Sequence, residues 1–298
     1  MTISRPSCNN LWKVFSSKLS EKMLEENFSK EDCILSCICA CYELLNSTPI
    51  QYSLASRTEA IEKIKKLWFQ ALPEGETREG QLQKVLDDMH SSLAGDQESF
   101  NSIQNIESLG GSRVVCISPP LFHFFSGVTN LRIQQSWLSV FPEGALEHLT
   151  HLQTFHFSNS QDAPIKMKEI PQELLSLQHL TKLTITDTDI TELPKGQTLP
   201  WEIVDLSNNQ LAPEELIEWM QTALKLQHLI VDNNPPMYTQ VDRCYQLACQ
   251  AKDRGLQSIS MKNNHLLGPQ ACQRQWPHFE ETKSWKTKVF VGHRKETQ

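Results

Sequence analysis

Apolar residues in the second half of the chain recur at a spacing that fits neither a plain helix nor a plain strand. From Trp201 to Leu211, the residues Trp201, Val204, Leu206 and Leu211 are apolar and Asn209 is polar, giving L-x-x-L-x-L-x-x-N-x-L. The same frame fits Leu256, Ile259, Met261, Asn264 and Leu266, and also Leu226, Leu229, Val231 and Asn234, where Pro235 and Pro236 disturb the last position. It fits Leu180, Leu183, Ile185, Thr188 and Ile190, and again Val128, Leu131, Ile133, Ser136 and Leu138. A weaker copy runs Leu152, Phe155, Phe157 and Ser160. Copies in one register predict a repeat architecture.

Each L-x-L core predicts a short strand whose apolar side chains point inward while the intervening residues face out. One such turn cannot bury its own apolar face, so turns must stack. The predicted fold is therefore an α/β leucine-rich-repeat solenoid: a curved parallel sheet with a partly helical convex side and an α-helical N-terminal domain. Asn at position nine can satisfy backbone groups of adjacent turns that the coil would otherwise bury unpaired. Asn209, Asn234 and Asn264 have that structural role, and Ser136, Ser160 and Thr188 are smaller substitutes in the same column.

The repeats begin at 128, 152, 180, 201, 226 and 256, an uneven spacing that places variable segments on the convex side. Two of these segments read as helices. Pro213 suits a first helical turn, and Leu216, Trp219, Met220, Ala223 and Leu224 follow at helical spacing. Val241, Cys244, Tyr245, Ala248 and Cys249 repeat that pattern, with Gly255 as a stop.

Residues 1–30 read as a flexible N-terminal segment, and 31–110 as an α-helical capping domain. EDCILSCICACYELL is an apolar helix, and AIEKIKKLW, a loop and QLQKVLDDM form a helical hairpin that covers the first turn of the solenoid at 111–268. Residues 269–298, with Trp276, Phe279, Trp285 and the strand-like KVFV, read as the opposite cap.

Composition narrows the function. A net charge of −7 argues against a nucleic-acid binder, which would show a basic face. The 9 cysteines lack small-domain disulfide spacing and read as reduced thiols. The N-terminus has no apolar secretory core, and no run approaches the ~20 apolar residues of a membrane span. A cytoplasmic protein is expected, or one secreted without a cleaved signal.

The segment WFQALPEGETREGQLQKVLDDM, Trp68 to Met89, resembles the N-terminal hairpin of bacterial LPX-type leucine-rich-repeat effectors, the YopM and IpaH group. ITELPKGQTLPWEIVDLSNNQL resembles their repeat, with Leu193–Pro194 and Leu199–Pro200 in the corresponding places. The resemblance implies a type III secreted protein that binds host proteins in a host cytoplasm, with residues 1–30 as its candidate secretion signal. It departs from the family in its irregular, partly helical repeats. It also lacks the ligase domain's C-x-D motif, since Cys272 is followed by Gln-Arg.

Chemistry-bearing residues are sparse. No G-x-S-x-G, P-loop or H-E-x-x-H pattern occurs, so no catalytic residues, cofactor or metal are expected. Cys33, Cys37 and Cys41 share one helix face with Cys39 turned away; helix packing is the main reading, with metal binding and S-acylation as rivals. His148, His151, His156, His179 and His228 occupy different frame positions and are expected not to stack.

The expected binding surface is the concave face. Position five contributes Arg132, His156, Thr184, Asp205, Ile230 and Ser260, and position seven Gln134, Ser158, Thr186, Ser207, Asp232 and Lys262. This polar, mixed-charge face suits a protein partner, and Trp137 and Trp219 read as core. The expected function is non-catalytic protein–protein interaction. The alternatives are a substrate-binding component of a ubiquitin-ligase assembly and a membrane-peripheral scaffold tethered by cysteine acylation.

Overall fold

The apolar frame positions among the described residues fold inward as the spacing predicts; Leu266 lies outside them. A computed structural model describes residues 29–47, 75, 77–95, 97–109, 114–264 and 286–291. The chain divides into two compact units: one runs to Thr150 and adds Ser160–Ile165, and the other takes His151–Asn159 and everything from Lys166.

In the first unit, helix α1 (Lys30–Ser47) starts at a reciprocal cap. The Ser29 hydroxyl accepts the Asp32 N–H at 3.1 Å, and the Asp32 carboxylate accepts the Ser29 N–H at 3.1 Å. Its middle is apolar all round, and Ile34, Leu35, Ile38, Ala40 and Leu44 are buried accordingly. Helix α2 (Arg78–Gly95) is capped by Thr77 and buries Leu82, Val85, Leu86, Met89 and Leu93, the stripe expected of a surface helix, and packs on α1. It is the second arm of the predicted hairpin; the first arm, 60–68, lies outside the described residues, as do 1–28 and Trp276, Phe279 and Trp285. A short helix α3 (Gln97–Asn101) leads to β1 (Asn105–Leu109), which pairs in parallel with β2 (Asn130–Ser136). This strand precedes the first repeat legible in the sequence. Its register slips between Ile106 and Leu109, so it lacks the L-x-L spacing.

The second unit is the regular part of the solenoid. Strands β3 (Thr154–Asn159), β4 (Lys182–Thr186), β5 (Ile203–Asp205), β6 (His228–Ile230), β7 (Ser258–Ser260) and β8 (Lys288–Phe290) pair in parallel in chain order. Helices α4 (Pro213–Met220) and α5 (Val241–Asp253) lie in the two segments expected to be helical and pack on each other, but α4 ends before Ala223 and Leu224, and Leu224, expected on its apolar face, is exposed. Pro213 stands in the first turn of α4 with Glu214 and Glu215, where a missing N–H costs nothing and carboxylates face the helix dipole. Gly255 follows α5 at φ 75°, the left-handed conformation that ends a helix.

The asparagine column is fully engaged. The Asn209 amide donates to the carbonyls of Ile185 (2.9 Å) and Leu206 (3.0 Å), while its oxygen accepts the N–H of Ile190. Asn234 repeats this one turn later, donating to Leu206 and Val231 and accepting from Leu211 at 3.0 Å. At Asn264 the expected donor, Pro236, has no N–H. The oxygen accepts instead from the backbone of Asn234, at 2.5 Å. In the weak copy, Asn159, not Ser160, enters the buried position and accepts the Met167 N–H at 2.9 Å.

Position eight emerges as a second structural column. Gln135, Asp187, Asn208, Asn233 and Asn263 all have φ between 50° and 59°. That region is costly for most side chains and tolerable for Asn and Asp, and it turns the chain out of each strand. Asn208 also donates to the Asp187 carboxylate at 3.0 Å and accepts from the Asn233 amide at 2.5 Å.

Candidate functional site

Parallel pairing without slippage turns frame positions into rows across the second unit. Position five forms the row His156, Thr184, Asp205, Ile230, Ser260 and Phe290. Ser158 and Thr186 of position seven are likewise register partners. Within this set Ser158, Thr184 and Ser260 are 9%, 8% and 7% exposed, so their hydroxyls are largely covered. His156, Thr186, Asp205, Ser207, Ile230, Asp232 and Lys262 are half-buried. In the first unit Arg132 is exposed and Gln134 half-buried on β2.

The two carboxylates of this face are each tied to a backbone N–H and a serine hydroxyl. Asp205 accepts the Ser207 N–H at 3.0 Å and its hydroxyl at 2.6 Å. Asp232 reaches across one strand to accept the Ser260 hydroxyl at 2.6 Å and the Lys262 N–H at 2.7 Å. Both therefore shape the end of the sheet as well as lending it charge.

A third row was missed in the sequence. Position three places Thr154, Lys182, Ile203, His228, Ser258 and Lys288 side by side. The signal was present, because strict alternation makes the residue before each first core position of the strand face out as well. Extending the frame through KVFV also puts Phe290 in row five, 42% exposed, with the Lys262 ammonium 5.2 Å from its ring centre. The face thus carries an aromatic residue and two half-buried isoleucines, Ile203 and Ile230, that composition alone did not place together.

Trp137 and Trp219 are buried, as expected of core residues, and Trp201 joins Trp219 with ring centres 6.4 Å apart. The expectation that the histidines would not meet fails at one pair. His151 and His179 stack at 6.4 Å because each immediately precedes position one of its repeat. In the first unit His148 meets His123 edge-on at 4.3 Å.

The cysteine cluster of α1 lies largely inside. Cys37, Cys39 and Cys41 are buried and Cys33 is half-buried. The Cys41 sulfur stands 4.0 Å from His90 Nε2, which is 3.0 Å from the Ser118 hydroxyl. Burial pushes the Cys41 thiol up to about 12 and lowers His90, so the pair holds a neutral thiol beside a neutral ring and generates no nucleophile near neutral pH. Among the described residues, no group of three or more His, Cys, Asp or Glu is arranged to hold a metal ion, and no helix is long and apolar enough to cross a membrane.

No family model matches the chain, and no curated protein matches it by sequence. Among solved structures it is similar to human 5T4 (Wnt-activated inhibitory factor 1, trophoblast glycoprotein), with 16% identity and a TM-score of 0.38 over 64% of this chain and 70% of that one.

Proposed function

We propose that the chain is a non-catalytic protein-interaction module whose strand rows three, five and seven, the concave side of the solenoid, hold a protein partner. The observation that carries this reading is the combination of Ile203, Ile230 and Phe290 with the polar groups of the same rows. Apolar and aromatic residues ringed by hydrogen-bonding groups are the composition of an interface core and its rim. A paired change, Ile203→Arg with Ile230→Arg, leaves every buried frame position intact. It is expected to reduce partner recovery in proximity labelling at least ~10-fold, a loss of about 1.4 kcal/mol or more. Circular dichroism should stay unchanged. An unaltered labelling profile would sink the assignment of this face. Asp205 and Asp232 are poorer choices for the test, because their loss also unties the sheet end.

The finer reading is a bacterial effector-like protein acting on a host protein. Its support is the hairpin and repeat resemblance of Trp68–Met89 and Ile190–Leu211. Residues 1–30 fused to a reporter are expected to direct its export from a type III-competent strain. Failure of export would remove the effector reading and leave the binding face untouched.

A further inference from the structure

Among the cysteines of α1, Cys39 and Cys41 are buried, Cys41 beside His90. Cys33 and Cys37 differ, because a distant segment brings a third thiol against them. Ser36, fully buried between them in sequence, accepts the N–H groups of Val115 and Cys116 at 2.9 and 3.0 Å and donates to the Cys116 carbonyl at 3.3 Å. One helical hydroxyl thus fixes the backbone of Cys116 to α1. Cys33 and Cys37, one turn apart, flank Ser36, so the bonds that pin the Cys116 backbone to Ser36 set its thiol among theirs.

The three thiols are not equivalent. Hydrogen bonds from Cys37 and then Cys33 lower Cys116 to about 7, against the opposing effect of burial. The Cys37 thiol is pushed strongly up, first by its bond to Cys116 and then by burial; Cys33 is raised, chiefly by burial. Cys116 is thus the one thiol of the three that its neighbours shift downward, toward the thiolate. Cys116 is also only half-buried, whereas Cys37 is buried. Thiolate character and access together are what make a cysteine oxidisable.

We propose that Cys116 is a hydroperoxide-reactive thiol and that Cys37 resolves it, giving a reversible Cys37–Cys116 disulfide that joins α1 to the segment at 114–118. The Cys116 sulfur attacks the peroxide oxygen and the O–O bond breaks. The departing hydroxide or alkoxide takes a proton and leaves as water or alcohol, and Cys116 becomes a sulfenic acid. The negative charge that held Cys37 protonated is then gone. The Cys37 sulfur attacks the sulfenic sulfur and displaces hydroxide, which takes the Cys37 proton and leaves as water. The peroxide gains two electrons and each thiol loses one. A dithiol such as reduced thioredoxin reverses the link by exchange.

The proposal is independent of any partner on the strand face and is tested on the full chain. In the untreated protein at pH 7, Cys116 is expected to be alkylated by iodoacetamide at least ~10-fold faster than the half-buried Cys249. A modest excess of hydrogen peroxide should lower the intact mass by ~2 Da, with the loss reversed by dithiothreitol. Non-reducing peptide mapping should join the Cys37 and Cys116 peptides. In Cys37→Ser, dimedone should trap sulfenic acid at Cys116, and in Cys249→Ser the link should form as before. Equal alkylation of Cys116 and Cys249, or peroxide leaving all thiols free, overturns the proposal. A link that survives in Cys116→Ser also overturns it. A Cys33–Cys116 link formed at the wild-type rate in Cys37→Ser removes Cys37 from the resolving role.

Discussion

Asn234→Ala is expected to destabilise the second unit by about 3–5 kcal/mol, enough to remove a large share of a typical domain's stability. The side chain is completely buried and works in both directions. Its oxygen is the acceptor for the Leu211 N–H, and its amide donates to the carbonyls of Leu206 and Val231 at 3.1 and 3.0 Å. The carbonyls lose one donor each but keep another, since Asn209 also donates to Leu206 and Asn264 to Val231. Leu211 N–H is left without the acceptor supplied by Asn234, in a place water does not reach, and a buried orphan donor alone costs about 1–3 kcal/mol. The check is urea unfolding followed by the fluorescence of the buried Trp201 and Trp219. Asn130→Ala, which removes an exposed amide bonded to Asn105 at 2.6 Å, should stay within about 0.5 kcal/mol. A loss below about 1 kcal/mol for Asn234→Ala would show that the column is not what satisfies the coil.

Gly127→Ala should cost about 2–4 kcal/mol in the first unit, for a steric reason. A Cβ built on Gly127 would stand 1.9 Å from the carbonyl oxygen of Asn101 and 3.0 Å from its carbon. Neither atom is the end of a flexible side chain. The backbone at 101–104 is itself held by the N–H groups of Thr129 and Asn130, which donate to the Gln104 carbonyl at 2.8 and 3.0 Å. Relief therefore means separating two segments that hydrogen-bond to each other. Gly95→Ala is the contrasting case, since its Cβ would meet nothing within 4 Å. Amide hydrogen exchange at Thr129 and Asn130 should quicken in Gly127→Ala and stay unchanged in Gly95→Ala. Unchanged exchange in the first variant would refute the close approach.

The parts legible in the sequence were those written in local spacing. Val204, Leu206 and Asn209 sit where their period put them, and Pro213 and Gly255 bound helices as their backbone restrictions require. Asn159 was misread because the frame assigned the polar role to Ser160, while the chain used the neighbour with the longer reach. The rows were half legible: alternation gave positions five and seven, but Phe290 joined them only through pairing of β8 with β7. Cys116 could not be found by spacing at all. Its link to α1 runs through Ser36, 80 residues away, and nothing local to either residue encodes that proximity.

Asn209 and Asn234 each bind the sixth and eleventh residues of the preceding repeat, so the polar closure of one coil is completed by the next. The contact uses main-chain groups on one side and a single amide on the other, which makes these coils exchangeable at the junction whatever their outward residues are. A coil with proline at its eleventh residue is the exception, as the shift to Asn234 N–H shows. Recombinants that duplicate the 201 repeat should join without redesigning this polar seam, since its own Asn209 can bind the sixth and eleventh residues of the copy before it, whereas the 226 repeat is a fixed neighbour of the 256 repeat. The scaffold is in that sense a grammar with one forbidden ordering, and the surface it displays is free to change between junctions.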